Sequence, residues 1–355
     1  MAKKIAVIGG GATGHAVAAI MTMRGFEVRF HDDERFAANF DAIREFGFIE
    51  LRGGIHGTAM PAVITTDPAE AVIGADLIFV HVPADRHEEI ARRIAPYVQD
   101  GQHILIIPGN LGSFIFRKVF QEMGVKADVT LSEKEGNFCP CRLSEPAEVT
   151  VGNKLNLKGK ISALPASDTP RVLEALEGVV EYTANKNVFE AAIRTGNVVS
   201  HIASTILSAA EVERKGSKYS LFKYAFTPAT LHCQEKIVKE RAAVVEAMGF
   251  TVPGDPMLMF KRVQEIEKHP EIHMFYEYMD GPSALDHRYL HEDCGCGGAF
   301  AVSMAKHLGL EMPTLEAFLG VAGAINDRDY IHGGRTLENL GFSSDMTLEE
   351  IYAAL

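Results

Sequence analysis

The feature that most constrains this chain is the break in its first apolar run. Ile5-Ala6-Val7-Ile8 gives way to Gly9-Gly10-Gly11-Ala12-Thr13-Gly14, and an amphipathic segment from His15 to Arg24 follows at once. A strand that turns through glycines straight into a helix fits few architectures. Gly9 permits the tight turn and Gly11 lets backbone amides approach a pyrophosphate. Gly14 lets the helix lie close to the strand, so that the positive helix end around Ala12 and Thr13 faces the phosphates. A second apolar strand, Glu27 to Phe30, leads to Asp32, 23 residues after Gly9, where a carboxylate can accept hydrogen bonds from an adenosine ribose. The alternative, a glycine turn of some other α/β protein, does not call for that second strand or its acidic end.

The first half continues to alternate short apolar runs with helical patterns, as a parallel sheet covered on both faces requires. Strands are expected at Ile5–Ile8, Glu27–Phe30, Leu77–Val82, Ile104–Ile107 and Val129–Leu131, and helices at His15–Arg24, Glu34–Phe40, His87–Tyr97 and Ser113–Met123. Leu77 to Val82 is almost uninterrupted apolar sequence, the mark of a strand buried on both faces. Pro83-Ala84 and Pro108-Gly109-Asn110 lie just past the carboxyl ends of strands, the edge where open α/β sheets bind ligands. Beyond about residue 186 the strand signals fade. Val188–Val212, Pro228–Met248, Met257–His269, Phe300–Leu308 and Thr314–Ala324 have helical patterns, broken at Gly216, Gly249 and Gly281-Pro282. The expected fold is α/β: an N-terminal Rossmann domain with a doubly wound parallel sheet over residues 1–186, and an all-helical domain over 187–355. No repeat or low-complexity linker separates the halves, so a broad inter-domain cleft is expected in place of a tether.

Composition narrows the function. With 355 residues, 47% apolar and 23% charged, the chain can bury two ordinary cores. A net charge of -12 with no basic run argues against a nucleic-acid partner. No apolar run approaches the roughly 18 residues of a membrane span, and Lys3-Lys4 leads directly into the first strand, so a cytoplasmic protein is expected. Five cysteines in a chain of this size are expected to be reduced thiols.

Hydride chemistry needs a proton partner, and histidine suits that role because its ordinary pKa lies near 6.5. Fourteen histidines make composition useless for choosing among them. His201 stands out within Thr195-Gly196-Asn197-Val198-Val199-Ser200-His201, because Asn197 lies one turn earlier on the same helical face. Packing between helices is the ordinary alternative for such a histidine. His287-Arg288-Tyr289-Leu290-His291-Glu292-Asp293 crowds a cation, a phenol, two imidazoles and two carboxylates into seven residues. That density suits a charged substrate or a His–Asp pair, and equally a solvated helix start.

Taken together, the N-terminal fingerprint, Val82-Pro83-Ala84 followed by His87, Pro108-Gly109-Asn110, Cys141-Arg142, Asn197 with His201, Arg288-Tyr289-Leu290 with Glu292-Asp293, and Asp329-Tyr330 with Gly334-Arg335-Thr336-Leu337 resemble the octopine/nopaline (opine) dehydrogenase family. The likeness runs through both domains in the family's order. In that family a nicotinamide cofactor reduces the imine formed between an α-keto acid, commonly pyruvate, and the amino group of an L-amino acid. The resemblance implies His201 as acid/base and Asp293 as the carboxylate that orients it, with Glu292 as the competing partner. Pro83 and Asn110 are then expected along the cofactor, and Asn197 at a substrate carbonyl or the nicotinamide amide, with simple solvation of the helix face as the alternative. Arg288 and Arg335, and more weakly Arg142, are the guanidinium clamps for substrate carboxylates.

Asp32 favours the free 2′-hydroxyl of NAD, while His31 and Arg35 stand close enough in sequence to offer a 2′-phosphate of NADP some compensation. The chain departs from the family where an apolar segment with a proline usually follows Asp293: here Cys294-Gly295-Cys296-Gly297-Gly298 stands, and a second Cys-x-Cys occurs at Cys139-Pro140-Cys141. That spacing is not the usual one for zinc, so no metal is expected. Two other functions fit the sequence. One is a simple 2-keto acid or 2-hydroxy acid oxidoreductase similar to ketopantoate reductases, and the other a non-enzymatic NAD(H)-binding redox sensor. Apolar helices such as Thr314–Ala324 suit a homodimer face and an interior position equally.

Overall fold

A computed structural model describes residues 3–152, 157–254, 257, 261–262, 265, 268–269 and 281–355. The chain divides into two compact units, Met1–Ala191 and Ala192–Leu355. The helix expected at Met257–His269 falls mostly outside the described residues.

Twelve strands are described: β1 (Lys4–Ile8), β2 (Glu27–His31), β3 (Ile49–Gly53), β4 (Gly57–Ala59), β5 (Val63–Thr65), β6 (Leu77–Val80), β7 (His103–Ile106), β8 (Thr130–Lys134), β9 (Cys141–Glu145), β10 (Glu148–Val151), β11 (Lys158–Leu164) and β12 (Glu181–Ala184). Eight of them form one sheet in the order β12-β11-β8-β7-β6-β1-β2-β5. Every pairing in it is parallel except that of β11 with β8. The order reverses direction at β1, between β6 and β2, which is the switch point where such sheets take nucleotides.

Side-chain alternation shows why the central strands are apolar throughout. Ile5, Val7, Leu77, Phe79 and Leu105 enter the core on one face, whereas Ala6, Ile8, Ile78, Val80, Ile104 and Ile106 enter the core on the other. A strand with water on either side could not carry such a sequence. A second, four-stranded sheet, β4-β3-β10-β9, packs over helix α1 (Ala12–Met23). Its short segments carry many charged or hydroxyl side chains on their open face, which in β3 and β10 alternate with the buried Ile49, Leu51, Val149 and Val151, and none of the four is among the strands expected from the sequence.

Helix positions agree closely at α2 (Gly112–Glu122), α4 (Pro228–Ala247), α6 (Ala299–His307) and α7 (Pro313–Asn326). The single helix expected over Val188–Val212 is instead three: Val188–Ile193, α3 (Asn197–Leu207) and Ala209–Lys215. The first break is held by Arg241 of α4, a buried guanidinium that donates to the Thr195 carbonyl. Helix α3 runs through the second unit in contact with α4, α5 (Arg288–Glu292) and α7. No helix among the described residues is long and apolar enough to cross a membrane.

Candidate active site

The fingerprint glycines of the first unit, Gly9, Gly11 and Gly14, are of two kinds. A Cβ on Gly9, whose φ is +112°, would lie 2.4 Å from the His81 carbonyl oxygen, and one on Gly14 would lie 1.7 Å from the carbonyl oxygen of Gly9. These two residues are required by the fold itself. Gly11 is otherwise: a Cβ there meets nothing within 4 Å, although its backbone stands at the N-terminus of α1. Open space over the amides of Ala12 and Thr13 at a positive helix end is the cradle that a pyrophosphate fills. The residues present therefore fit a dinucleotide.

Asp32, at the end of β2, is buried and already engaged. Its Oδ2 accepts from the Gly10 amide at 2.6 Å, its Oδ1 accepts from the Asp33 amide at 2.8 Å, and Arg86 approaches Oδ1 at 3.5 Å. The carboxylate thereby ties β2 to the glycine turn, a structural task the sequence does not disclose. Of the two groups that might have offset a 2′-phosphate, His31 is fully buried and desolvation lowers its pKa. Arg35 is turned to Asp33 at 3.1 Å and to Glu89 at 2.5 Å.

Pro83 and Asn110 lie beyond β6 and β7. Pro83 caps the turn Ala84–Arg86, accepting from the Arg86 amide at 3.0 Å. Asn110 and Leu111 both have left-handed backbones, with φ of 49° and 63°. The residue that holds them there is Glu133 of β8, which sequence reasoning missed. Its Oε2 accepts from the Leu111 amide at 2.9 Å, and its Oε1 from the amide and hydroxyl of Ser113 at 2.8 and 2.5 Å. A fully buried carboxylate thus caps α2 from a neighbouring strand and satisfies donors that the helix start leaves over. Gly109 must be glycine for this to work, because a Cβ there would sit 2.3 Å from Glu133 Oε2.

In the second unit His201 lies in the first two turns of α3, and its Nδ1 is 2.7 Å from Asp293 Oδ2. Both side chains are almost fully enclosed, at 9% and 5% exposure. Asp293, and not Glu292, is the partner. Burial raises the Asp293 pKa to about 7, against the pull of the Arg288 guanidinium toward ionisation. The imidazole also stacks on Tyr289 of α5, with ring centroids 3.6 Å apart. Arg288 is therefore near the pair, with its guanidinium 5.1 Å from the Tyr289 ring centre. Asn197 begins α3, one turn before His201.

Asp293 opens a π-helical turn, Asp293–Gly298, that joins α5 to α6. This turn accounts for the unusual Cys-Gly-Cys-Gly-Gly. A Cβ on Gly297 would fall 2.6 Å from the Val198 side chain, and one on Gly298 would fall 3.0 Å from the Asp293 carbonyl oxygen. The wide turn can approach α3 only because its residues are small. Arg335 is fixed to the same turn, its amide donating to the Gly295 carbonyl at 2.7 Å. Burial raises the pKa of Cys294; Cys139 is raised first by its hydrogen bond with Cys141 and then by burial. Both thiols are thus poor nucleophiles. Among the described residues no three His, Cys, Asp or Glu side chains gather as a metal would require. Arg142 stands apart from these groups in sequence and element, on β9, where it donates to the Cys141 carbonyl at 2.9 Å.

Comparison with known proteins places the chain in a family. Residues 184–326 match the family described as NAD/NADP octopine/nopaline dehydrogenase, alpha-helical domain, and residues 4–109 match the NAD-dependent glycerol-3-phosphate dehydrogenase N-terminus. An opine dehydrogenase of Arthrobacter sp. (strain 1C) is 32% identical over 96% of this chain and 96% of its own. The structure of an octopine dehydrogenase in complex with NADH and agmatine is similar with a TM-score of 0.70 at 22% identity, covering 99% of this chain and 98% of that one. A ketopantoate reductase from Ralstonia eutropha JMP134 has a TM-score of 0.61 at 18% identity, covering 91% and 98%. The last two likenesses establish the fold: a Rossmann-type α/β domain followed by a helical one. With a full-length relative at that identity and the family's helical domain carrying the His–Asp pair, this chain belongs to the opine dehydrogenase family, oxidoreductases that act on CH–NH groups with a nicotinamide dinucleotide.

Proposed function

We propose that the protein reduces the imine formed between an α-keto acid such as pyruvate and the amino group of an L-amino acid, with NADH as the preferred reductant. The observation that carries this reading is the enclosed His201 Nδ1–Asp293 Oδ2 hydrogen bond of 2.7 Å in the helical domain. Relatives lend the substrate classes: octopine dehydrogenase has been solved with NADH and pyruvate and with NADH and L-arginine. Asp32 and the enclosed, uncharged His31 favour NAD over NADP.

A reduced nicotinamide dinucleotide, its pyrophosphate held at the glycine turn, would supply the hydride. In the ionised form it takes above its raised pKa of about 7, Asp293 accepts from Nδ1 and fixes the tautomer of His201, so that Nε2 is the nitrogen that exchanges protons with substrate. His201 takes a proton from the substrate ammonium, and the amine nitrogen then attacks the keto carbon. The imidazolium returns that proton to the former keto oxygen, a second proton passes from the attacking nitrogen to the resulting hydroxyl, which leaves as water, and the carbon of the protonated C=N is where hydride would add to give a secondary amine. Arg288 and Arg335 hold the substrate carboxylates, and Asn197 presents its amide to the substrate.

The test is NADH oxidation with pyruvate, with and without a pool of L-amino acids, in wild type and His201→Ala. Amine-dependent turnover that falls about 100- to 10,000-fold in the variant is expected. Equal turnover with the keto acid alone would overturn the reading in favour of a simple keto-acid reductase. Absence of turnover with either NADH or NADPH over a wide panel would point to a non-enzymatic sensor.

A further inference from the structure

One hydrogen bond locates a single nitrogen of an imidazole and leaves the ring plane able to swing about the line to its acceptor. At His201 a second contact removes that freedom. Tyr289 lies face to face with the imidazole, 3.6 Å between centroids and 8° from parallel. Neutral aromatic rings left to themselves settle offset or edge-on. So close a superposition is imposed by the surroundings of the tyrosine. His287 meets the Tyr289 ring edge-on at 4.8 Å and 85°, and accepts from the Tyr289 amide at 3.3 Å as the cap of α5. Phe222 stands edge-on to both rings, 6.3 Å from His201 and 6.5 Å from Tyr289.

We infer that Tyr289 is a positioning residue for His201, its ring face setting the plane in which Nε2 points while Asp293 sets the position of Nδ1. Two constraints of different kind, one point and one plane, are the minimum that aims the remaining nitrogen. The inference rests on the reading of His201 as the acid/base, where a misplacement of about 1 Å costs roughly a hundredfold in rate. The aromatic face performs this task, and the phenol hydroxyl is not needed for it.

Two measurements test this. A proton held over an aromatic face is shifted upfield, so the His201 ring protons, identified in NMR spectra of histidine-labelled protein by their loss in His201→Ala, should resonate upfield of exposed histidines. Tyr289→Phe should keep both the shift and kcat. Tyr289→Leu should lose the shift and lower kcat about 10- to 100-fold with KM for the dinucleotide unchanged. His201 protons at ordinary positions in wild type would overturn the inference, as would full kcat in Tyr289→Leu or equal losses in the Phe and Leu variants. If the Leu variant does not fold, the wild-type spectrum and the Phe variant still decide. The spectrum does not depend on turnover, so an upfield His201 in a protein without amine-dependent activity would refute the proposed reaction and leave the positioning role standing.

Discussion

Gly11 and Gly14 are three residues apart in one motif, yet replacing each with alanine should produce opposite results. At Gly14 the new Cβ would be 1.7 Å from the Gly9 carbonyl oxygen, where real contacts stay above 3.0 Å. The helix start or the turn must then move by about 1.3 Å, the difference between those distances. Both are backbone inside a packed sheet, so the cost falls at or above the upper end of the roughly 1–3 kcal/mol typical of overpacking. Gly11 has an ordinary extended backbone, φ −75° and ψ −176°, and open space around its Cβ position. Gly11→Ala should therefore change folding stability by no more than about 0.5 kcal/mol. What it should lose is ligand: a methyl group in the cradle displaces one charge-assisted hydrogen bond worth about 1.5–3 kcal/mol, a tenfold to hundredfold rise in Kd. Thermal unfolding without ligand, paired with an NADH fluorescence titration, separates the two effects. Gly11→Ala that binds NADH like wild type, or that melts as low as Gly14→Ala, would refute the assignment of that space to the pyrophosphate.

Two further outcomes follow from buried carboxylates. Glu133→Gln replaces an acceptor oxygen with a donor facing the α2 amides, which should cost about 1–3 kcal/mol, lower Tm by about 2–4 °C for each of them, and weaken NADH binding through the Asn110 loop. An unchanged Tm in differential scanning calorimetry would show that the cap is dispensable. Asp293 has its pKa raised by burial to about 7, so the folded protein keeps a proton that the unfolded chain releases near 4. Its contribution to stability is complete below pH 4 and disappears as the pH rises toward 7. The Tm of wild type minus that of Asp293→Asn should accordingly fall between pH 4 and pH 7, and a rise over that window would contradict the buried, protonated carboxyl.

How far the sequence could be read depended on the range over which each feature is encoded. The strand–turn–helix at Ile5–Gly14 is local, and steric need at Gly9 and Gly14 writes it directly into residue identity. The central strands were equally legible, because burial on both faces leaves no room for polar residues. Strand β9, Cys-Arg-Leu-Ser-Glu, has no such signature, since its pairing with β10 is what makes it a strand. His201 and Asp293 are 92 residues apart, and no periodicity connects them; local sequence drew attention to His201 through Asn197 one turn earlier but left packing between helices as the alternative, and the family resemblance named the pair. Glu133 was illegible for another reason. It lies in Thr-Leu-Ser-Glu-Lys, past the apolar residues from which a strand was expected, and the amides that neutralise it come from Leu111 and Ser113 at the start of α2, 22 and 20 residues earlier. Tyr289 was visible in a dense polar heptad, but which of its neighbours it would face is decided by the turn that follows.

That turn, Asp293–Gly298, has a consequence for how the chain can change in length. A π-helical turn closes its hydrogen bonds one residue later than an α-helical turn, so it holds one residue too many for the helix to keep its phase. Removing any one of the six would restore the α-helical ladder and rotate the residues on one side by about 100° relative to those on the other. With α6 anchored by Ala299, Phe300 and Val302 in the core, the rotation would fall on α5, swinging Tyr289 and Arg288 away from His201. The site is thus guarded by residue count as well as residue type: deleting Gly295 or Gly297 should dismantle it although His201, Asp293, Tyr289 and Arg288 all remain in the sequence.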